Sequence, residues 1–275
     1  MGKLDKAESL RKTVLRRWIN MLVLVAAGAT ILALTGCVGN AMEPESDKPI
    51  DVMTPTELFT DPGLRALAEA AQHGNVKKID ALIAKGVNVN GKGRYGETPL
   101  YAAFQVRNKK GFKALLEHGA NPNFIDDNGQ TLMNDIAGYS STYFMKLALK
   151  HGGDPNLVAP RSGETPLFFA VAPDGKQNIP LLLRAGANLD LQDKDGYTAL
   201  MMAATYNQYD AAYELLEAGA DYKLKNKWGK DLRSVVDVSR HTMKPSGHLW
   251  GSLQKVIDFL KAHNFWPPPK SQQFQ

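Results

Sequence analysis

The chain has 275 residues, 44% hydrophobic and 22% charged, a composition that excludes disorder throughout and leaves room for one large domain or two small ones. The formal net charge of +5 sits almost wholly in residues 1–36, where Lys3, Lys6, Arg11, Lys12, Arg16 and Arg17 face only Asp5 and Glu8, so that 27 basic residues meet 26 acidic ones downstream. Over the chain as a whole that balance argues against a field that draws in a phosphate backbone, and so against a nucleic-acid partner, while the single cysteine, Cys37, excludes an intramolecular disulfide.

The first element behind the basic stretch is an uncharged run of fourteen residues from Met21 to Leu34. Its length fits the apolar core of a signal peptide and falls short of the roughly 20 residues that a spanning helix needs. Counting back to Trp18 gives seventeen, so an uncleaved, tilted anchor is the alternative. The run ends in Leu34-Thr35-Gly36-Cys37, which resembles the lipobox of bacterial lipoproteins: a branched apolar residue, two small ones and a cysteine. The resemblance implies a signal peptide over 1–36, cleavage before Cys37, diacylglycerol on its sulfur and acylation of the new N-terminus. Several acyl chains at about 0.8 kcal/mol per buried methylene make such an anchor effectively permanent. By the sorting rule of that family, Val38 behind the cysteine implies the outer membrane, facing the periplasm. Residues 37–60 then read as a lipidated flexible tether, because Glu43-Pro44-Glu45-Ser46-Asp47 and Lys48-Pro49 join breakers and charge to little apolar content.

The rest of the chain repeats itself. Gly-x-Thr recurs at Gly96-Glu97-Thr98, Gly129-Gln130-Thr131, Gly163-Glu164-Thr165 and Gly196-Tyr197-Thr198, in steps of 33, 34 and 33. Out of phase with it run Leu115-Leu116-Glu117-His118-Gly119, Ala148-Leu149-Lys150-His151-Gly152, Leu182-Leu183-Arg184-Ala185-Gly186 and Leu215-Leu216-Glu217-Ala218-Gly219, in the same steps. Two motifs that share one single-residue insertion, near Ala159, mark a true repeat. An earlier copy from Leu64 to Asn88 lacks the Thr-Pro start, and the last copy begins at Trp228 with its second helix displaced by an insertion near 238–250.

The starts Thr98-Pro99-Leu100-Tyr101-Ala102-Ala103, Thr165-Pro166-Leu167 and Thr198-Ala199-Leu200 resemble the ankyrin-repeat family. Thr suits a helix N-cap, Pro the first helical position and the Gly after Leu-Leu a left-handed helix end. The resemblance implies an all-α solenoid of about six helix-turn-helix repeats with β-hairpin loops, spanning 61–264, with repeats at about 61–92, 93–125, 126–159, 160–192, 193–225 and 226–264 and a tail at 265–275. Six helix pairs at about 10 Å each make a face roughly 50–60 Å long, enough for an interface of about 1,600 Å². In the third repeat Thr131-Leu132-Met133-Asn134-Asp135 has no proline and puts Asp135 where an apolar residue is usual, which predicts an irregular first helix or a partner contact.

In that family, partners are held by hairpin tips and by the turn after the first helix. Carried onto this sequence, these positions are Arg94, Tyr95 and Gln105, then Asp127, Asn128 and Tyr139, then Arg161. Lys194, Asp195, Tyr197 and Tyr206 follow, and last Lys227 and Trp228. Aromatic residues and Arg dominate binding hot spots, which singles out the four tyrosines and Trp228. The competing reading is that such a Tyr covers its neighbouring repeat.

Nothing in the sequence points to catalysis, a metal or a cofactor. His118 and His151 stand 33 apart at one repeat position, and His241 and His248 lie in the insertion without a ligand at metal spacing. Glu97 and Glu164 recur with the repeat and are not an acid–base pair, and no phosphate loop or nucleophile elbow appears. The expectation is a lipid-anchored ankyrin module, monomeric apart from its protein partner and resembling immunity proteins that neutralise secreted envelope-targeting toxins such as type VI lipases. The alternative is a non-catalytic envelope scaffold that organises a resident complex.

Overall fold

The computed structural model describes residues 54–247 and 249–267; the segment 1–36 expected to be a signal peptide, Cys37, most of the segment 37–60 expected to be a tether, His248 and residues 268–275 lie outside them. The described chain is an ankyrin-type stack of helix pairs with no strand among the described residues. The expected β-hairpins reduce to loops, two of them closed by single bridges, Ile125 to Thr131 and Gln192 to Thr198.

The folded part starts earlier than the tether reading places it. A short helix α1 (Pro55–Leu58) opens at Thr54, whose N–H donates to the Glu57 carboxylate at 2.9 Å. Leu58 and Phe59 are fully buried and close the N-terminal end of the stack with Ala68 and Ala102. Burying two such side chains gains about 3–6 kcal/mol, which helps to hold Thr54–Phe59, a segment that composition alone assigns to a linker.

Six repeats follow: α2 (Pro62–Gln72) with α3 (Val76–Ala84), α4 (Pro99–Gln105) with α5 (Lys109–Glu117), α6 (Leu132–Ala137) with α7 (Thr142–Lys150), α8 (Pro166–Ala170) with α9 (Ile179–Arg184), α10 (Ala199–Thr205) with α11 (Tyr209–Glu217), and α12 (Leu232–Thr242) with α13 (Trp250–Ala262). Thr98, Thr131 and Thr198 cap α4, α6 and α10 by accepting the N–H of Tyr101, Asn134 and Met201. The first repeat has an equivalent that the sequence reading missed: Asp61 accepts the Leu64 N–H at 2.7 Å and Pro62 takes the first helical position. The second helices end on Gly86, Gly119, Gly152, Gly186 and Gly219, all with φ between 81 and 93°. There a side chain other than glycine would be strained.

One continuous core runs from Leu67 to Leu260. Its densest part is aromatic: Phe144 meets Phe104 edge-on at 5.3 Å and Phe112 at 5.0 Å, tying the second repeat to the third. α6 is a regular capped helix, so of the two expectations for this repeat the irregular helix does not occur, and the Asp135 carboxylate accepts the Tyr101 hydroxyl at 2.9 Å across the repeat boundary.

The insertion near 238–250 is in part helix, since α12 runs on to Thr242 before Met243 and Leu249 pack back onto the core. The assigned tail also begins too early. Phe265 and Trp266 pack on the last repeat, with the Arg233 guanidinium 3.7 Å over the Phe265 ring while it binds buried Asp231 at 2.6 Å.

Candidate partner-binding face

Each tip is a tight turn with a backbone bond across its mouth, Gly93 N–H to Glu97 C=O, Asp126 to Gln130, Asp193 to Tyr197 and Asn226 to Lys230, at 2.7–2.9 Å, and a second inside it from the tip glycine N–H to the carbonyl of the turn's first residue. The tip of the fourth repeat runs from Ala159 to Glu164 at 2.8 Å, one residue longer, and this is where the inserted residue sits. Gly96, Gly129, Gly163, Gly196 and Gly229 take φ of 71–83° inside these turns, which is why the Gly-x-Thr signature needs glycine. Asp126, Asp193 and Asn226 organise the turns, each side chain accepting two backbone N–H groups at 2.7–3.0 Å. The sequence reading passed over these three, although an Asx residue four before the turn's end is a visible signal.

Successive tips are stitched together. The N–H of Asp127 donates to Tyr95 C=O, that of Lys194 to Ser162 C=O and that of Lys227 to Asp195 C=O, at 2.9–3.0 Å. Between the third and fourth repeats the Arg161 guanidinium reaches the Asp127 carbonyl at 3.0 Å. A second row of bonds joins the loops between repeats. Asn90, Asn123 and Asn156 each donate a side-chain N–H to the carbonyl of Gly119, Gly152 or Gly186 at 2.8–3.1 Å. Their side-chain oxygens accept the N–H of Asn121, Asp154 and Asn188 at 2.7 Å.

The proposed contact residues therefore divide. Tyr95, with φ of 63° and 45% exposed, and Trp228, 56% exposed, stand out at opposite ends of the row. Arg94, Asp127, Asn128, Arg161, Lys194 and Lys227 are exposed, while Asp195 and Tyr197 are half-buried. Trp228 is braced: Tyr197 lies 5.9 Å from it, Lys227 sits 4.6 Å over its ring, and Lys227 pairs with Asp195. A large aromatic held in place loses little freedom on binding.

Tyr139 and Tyr206 are half-buried. Tyr139 meets Phe104 edge-on at 6.0 Å, and the Arg107 guanidinium lies 4.2 Å from Tyr139 and 4.1 Å from Phe104, so this tyrosine largely covers its neighbouring repeat. The side-chain oxygen of half-buried Gln105 has no hydrogen-bond partner among the described residues.

Burial raises the carboxyl pKa of Asp126, Asp193 and Glu164, outweighing the N–H groups that Asp126 and Asp193 accept and the Ser162 hydroxyl at Glu164. Burial raises the Tyr206 hydroxyl too, and the nearby charges of Glu164 and Asp193 add to it. These shifts belong to turn and groove residues held by structure. Among the described residues there is no cluster of three His, Cys, Asp or Glu able to hold a metal ion, and no helix long and apolar enough to cross a membrane. His118 binds Asp80 of the preceding repeat at 2.7 Å, and His241 lies against the Asp237 carbonyl at 2.7 Å.

A sequence model of ankyrin repeats in three copies matches residues 48–126 and 132–226. Over 71 residues the chain is 42% identical to the human SH3 and multiple ankyrin repeat domains protein 2, covering 26% of this chain and 4% of that protein. Over 62 residues it is 39% identical to a putative ankyrin repeat protein of fowlpox virus, covering 22% and 15%. The chain thus spans only a small part of these relatives. An ankyrin repeat domain from Acinetobacter baumannii superposes with a TM-score of 0.60 at 22% identity, over 72% of this chain and 97% of that one. The ankyrin repeat protein EF0377 gives 0.59 at 25% identity with the same coverage.

Proposed function

The chain belongs to the ankyrin-repeat family, and we propose from that premise that its row of hairpin tips captures a protein at the cell envelope. Ankyrin repeats generally mediate protein–protein interaction and are non-catalytic modules. The observation that carries this reading is Trp228: a large aromatic, 56% exposed, braced by Tyr197 and Lys227 on the row where such modules grip their partners.

In this reading Cys37 carries the lipid, the module faces the periplasm from the outer membrane, and the partner is a secreted, envelope-attacking toxin that it neutralises. Support comes from the lipobox-like Leu34-Thr35-Gly36-Cys37 and from the length of the face. An anchor concentrates the binder where the toxin acts, and an extended groove can occlude an active site. A strain lacking the gene is then killed by siblings that secrete the cognate toxin. Wild-type protein restores survival and the Trp228→Ala, Tyr95→Ala double variant does not. Equal survival with and without the gene contradicts the toxin assignment and favours an envelope scaffold.

A further inference from the structure

Charge is divided unevenly along the outer helices. Residues 75–86 and 107–119, which carry α3 and α5, hold seven basic and two acidic residues, whereas residues 206–221, around α11, hold four acidic and no basic ones. Both acids of the basic part are engaged, Asp80 with His118 and Glu117 with Lys113. Lys77, Lys78, Lys109 and Lys110 are exposed, and among the described residues none of them makes an ion pair.

These four lysines lie in the first turns of α3 and α5, where the helix dipole is positive and the first turn holds no acid. Folding alone does not favour that arrangement, since cations stabilise the opposite helix end. Asn108, which caps α5, donates its amide N–H to the carbonyl of Gln72 at 2.9 Å, at the end of α2 and four residues before α3 begins. Among the cations stand two apolar side chains, Val76 and Val106, each 40% exposed.

We propose that this edge of the first two repeats docks on an anionic phospholipid bilayer, the lysines meeting headgroup phosphates and the two valines resting at the interface. The inference rests on the membrane tether of the proposed function. Sixteen residues lie between Cys37 and Thr54, a span of at most roughly 60 Å. The first two repeats follow that link directly and stay within its reach, while the acidic α11 is repelled. Docked in this way, the protein keeps its hairpin tips free for a partner.

The chemistry favours a lipid surface over nucleic acid or an acidic protein. Lysine is a hydrated point charge suited to a diffuse array of phosphates, whereas fork-like recognition uses arginine. The one arginine here, Arg107, is held between Phe104 and Tyr139 and donates to the Phe104 carbonyl at 2.6 Å, so it covers the ring faces that bases would stack on. Each lysine brought to an anionic leaflet raises association roughly fivefold, and salt reverses the gain.

The test uses the full chain purified from cell envelopes and reconstituted in vesicles of phosphatidylcholine alone or with one-third phosphatidylglycerol. A water-soluble acetylating reagent is added, and mass spectrometry follows each lysine. On the anionic vesicles Lys77, Lys78, Lys109 and Lys110 should react at least about threefold more slowly, Lys255 and Lys261 should be unchanged, and high salt should abolish the difference. In the Lys77→Glu, Lys110→Glu variant the protection of Lys78 and Lys109 should disappear. Equal rates on both vesicles overturn the docking edge, as does protection by a DNA duplex and not by vesicles. Flotation with phosphatidylcholine vesicles reads the tether separately: a chain that floats with unprotected lysines loses the docking edge alone, and one that does not float loses the anchor of the proposed function.

Discussion

Replacing Asn123 by alanine isolates what the asparagine row contributes to the stack. The side chain makes two bonds across the boundary between the second and third repeats, to Gly152 C=O at 2.8 Å and from Asp154 N–H at 2.7 Å. Each such bond contributes about 0.5–1.5 kcal/mol, and because the site is exposed, water takes over part of both. The expected loss is about 1–2 kcal/mol, or roughly 3–6 °C in Tm for a domain of this size. The mirror experiment is built into the protein: Asp190 follows Asn156 in the row and accepts the Asp221 N–H at 2.8 Å, but a carboxylate cannot donate to the carbonyl beyond it. Asp190→Asn should therefore gain about 0.5–1 kcal/mol. Urea unfolding followed by circular dichroism reads both, with a shifted midpoint and an unchanged slope. An Asn123→Ala midpoint equal to wild type, or a destabilised Asp190→Asn, would refute the role given to this row.

Three further outcomes follow from the packing and the charges. Burial raises the folded-state pKa of Asp193, so this group favours the fold when protonated, below the ordinary carboxylate range, and that contribution is lost as pH rises through the raised value. Asp193→Asn, which copies Asn226 in the sixth repeat, should raise Tm at neutral pH and converge with wild type in acid; a pH series of melting curves checks it. Gly111→Ala drives a methyl group into the Ala71 carbonyl between α5 and α2 and should cost about 2–3 kcal/mol, read by denaturant titration. Phe144→Ala removes the ring joining the second and third repeats and should cost about 3–5 kcal/mol, with hydrogen exchange rising first in α5 and α7.

The repeats were legible because glycine at a left-handed turn and Leu-Leu before a helix end are fixed by backbone geometry that recurs every 33 or 34 residues. The extra residue near Ala159 was legible for the same reason, and the structure puts it in the tip of the fourth repeat. Harder to read were features that depend on a single contact. Thr54–Phe59 looks like linker from its proline and charge, yet its two apolar residues close the end of the stack. Asp61-Pro62 does the work of Thr-Pro, because any side chain that accepts the N–H of the third helical residue can cap. Phe265 and Trp266 were assigned to the tail because the Arg233 contact that holds the first of them lies far off in sequence. The tip aromatics were legible as positions only. Repeat spacing finds Tyr95, Tyr139, Tyr206 and Trp228 alike, but Arg107 and a neighbouring phenylalanine decide that Tyr139 turns inward.

The central claim, that the tips hold a protein partner, is tested most directly by a photo-crosslinking amino acid placed in living cells at Trp228, at Tyr95 or at Lys255 on the outer helix α13. One discrete protein adduct, of the same mass from Trp228 and Tyr95 and absent from Lys255, is the expected result. Adducts that form at Lys255 and at neither tip position would contradict it.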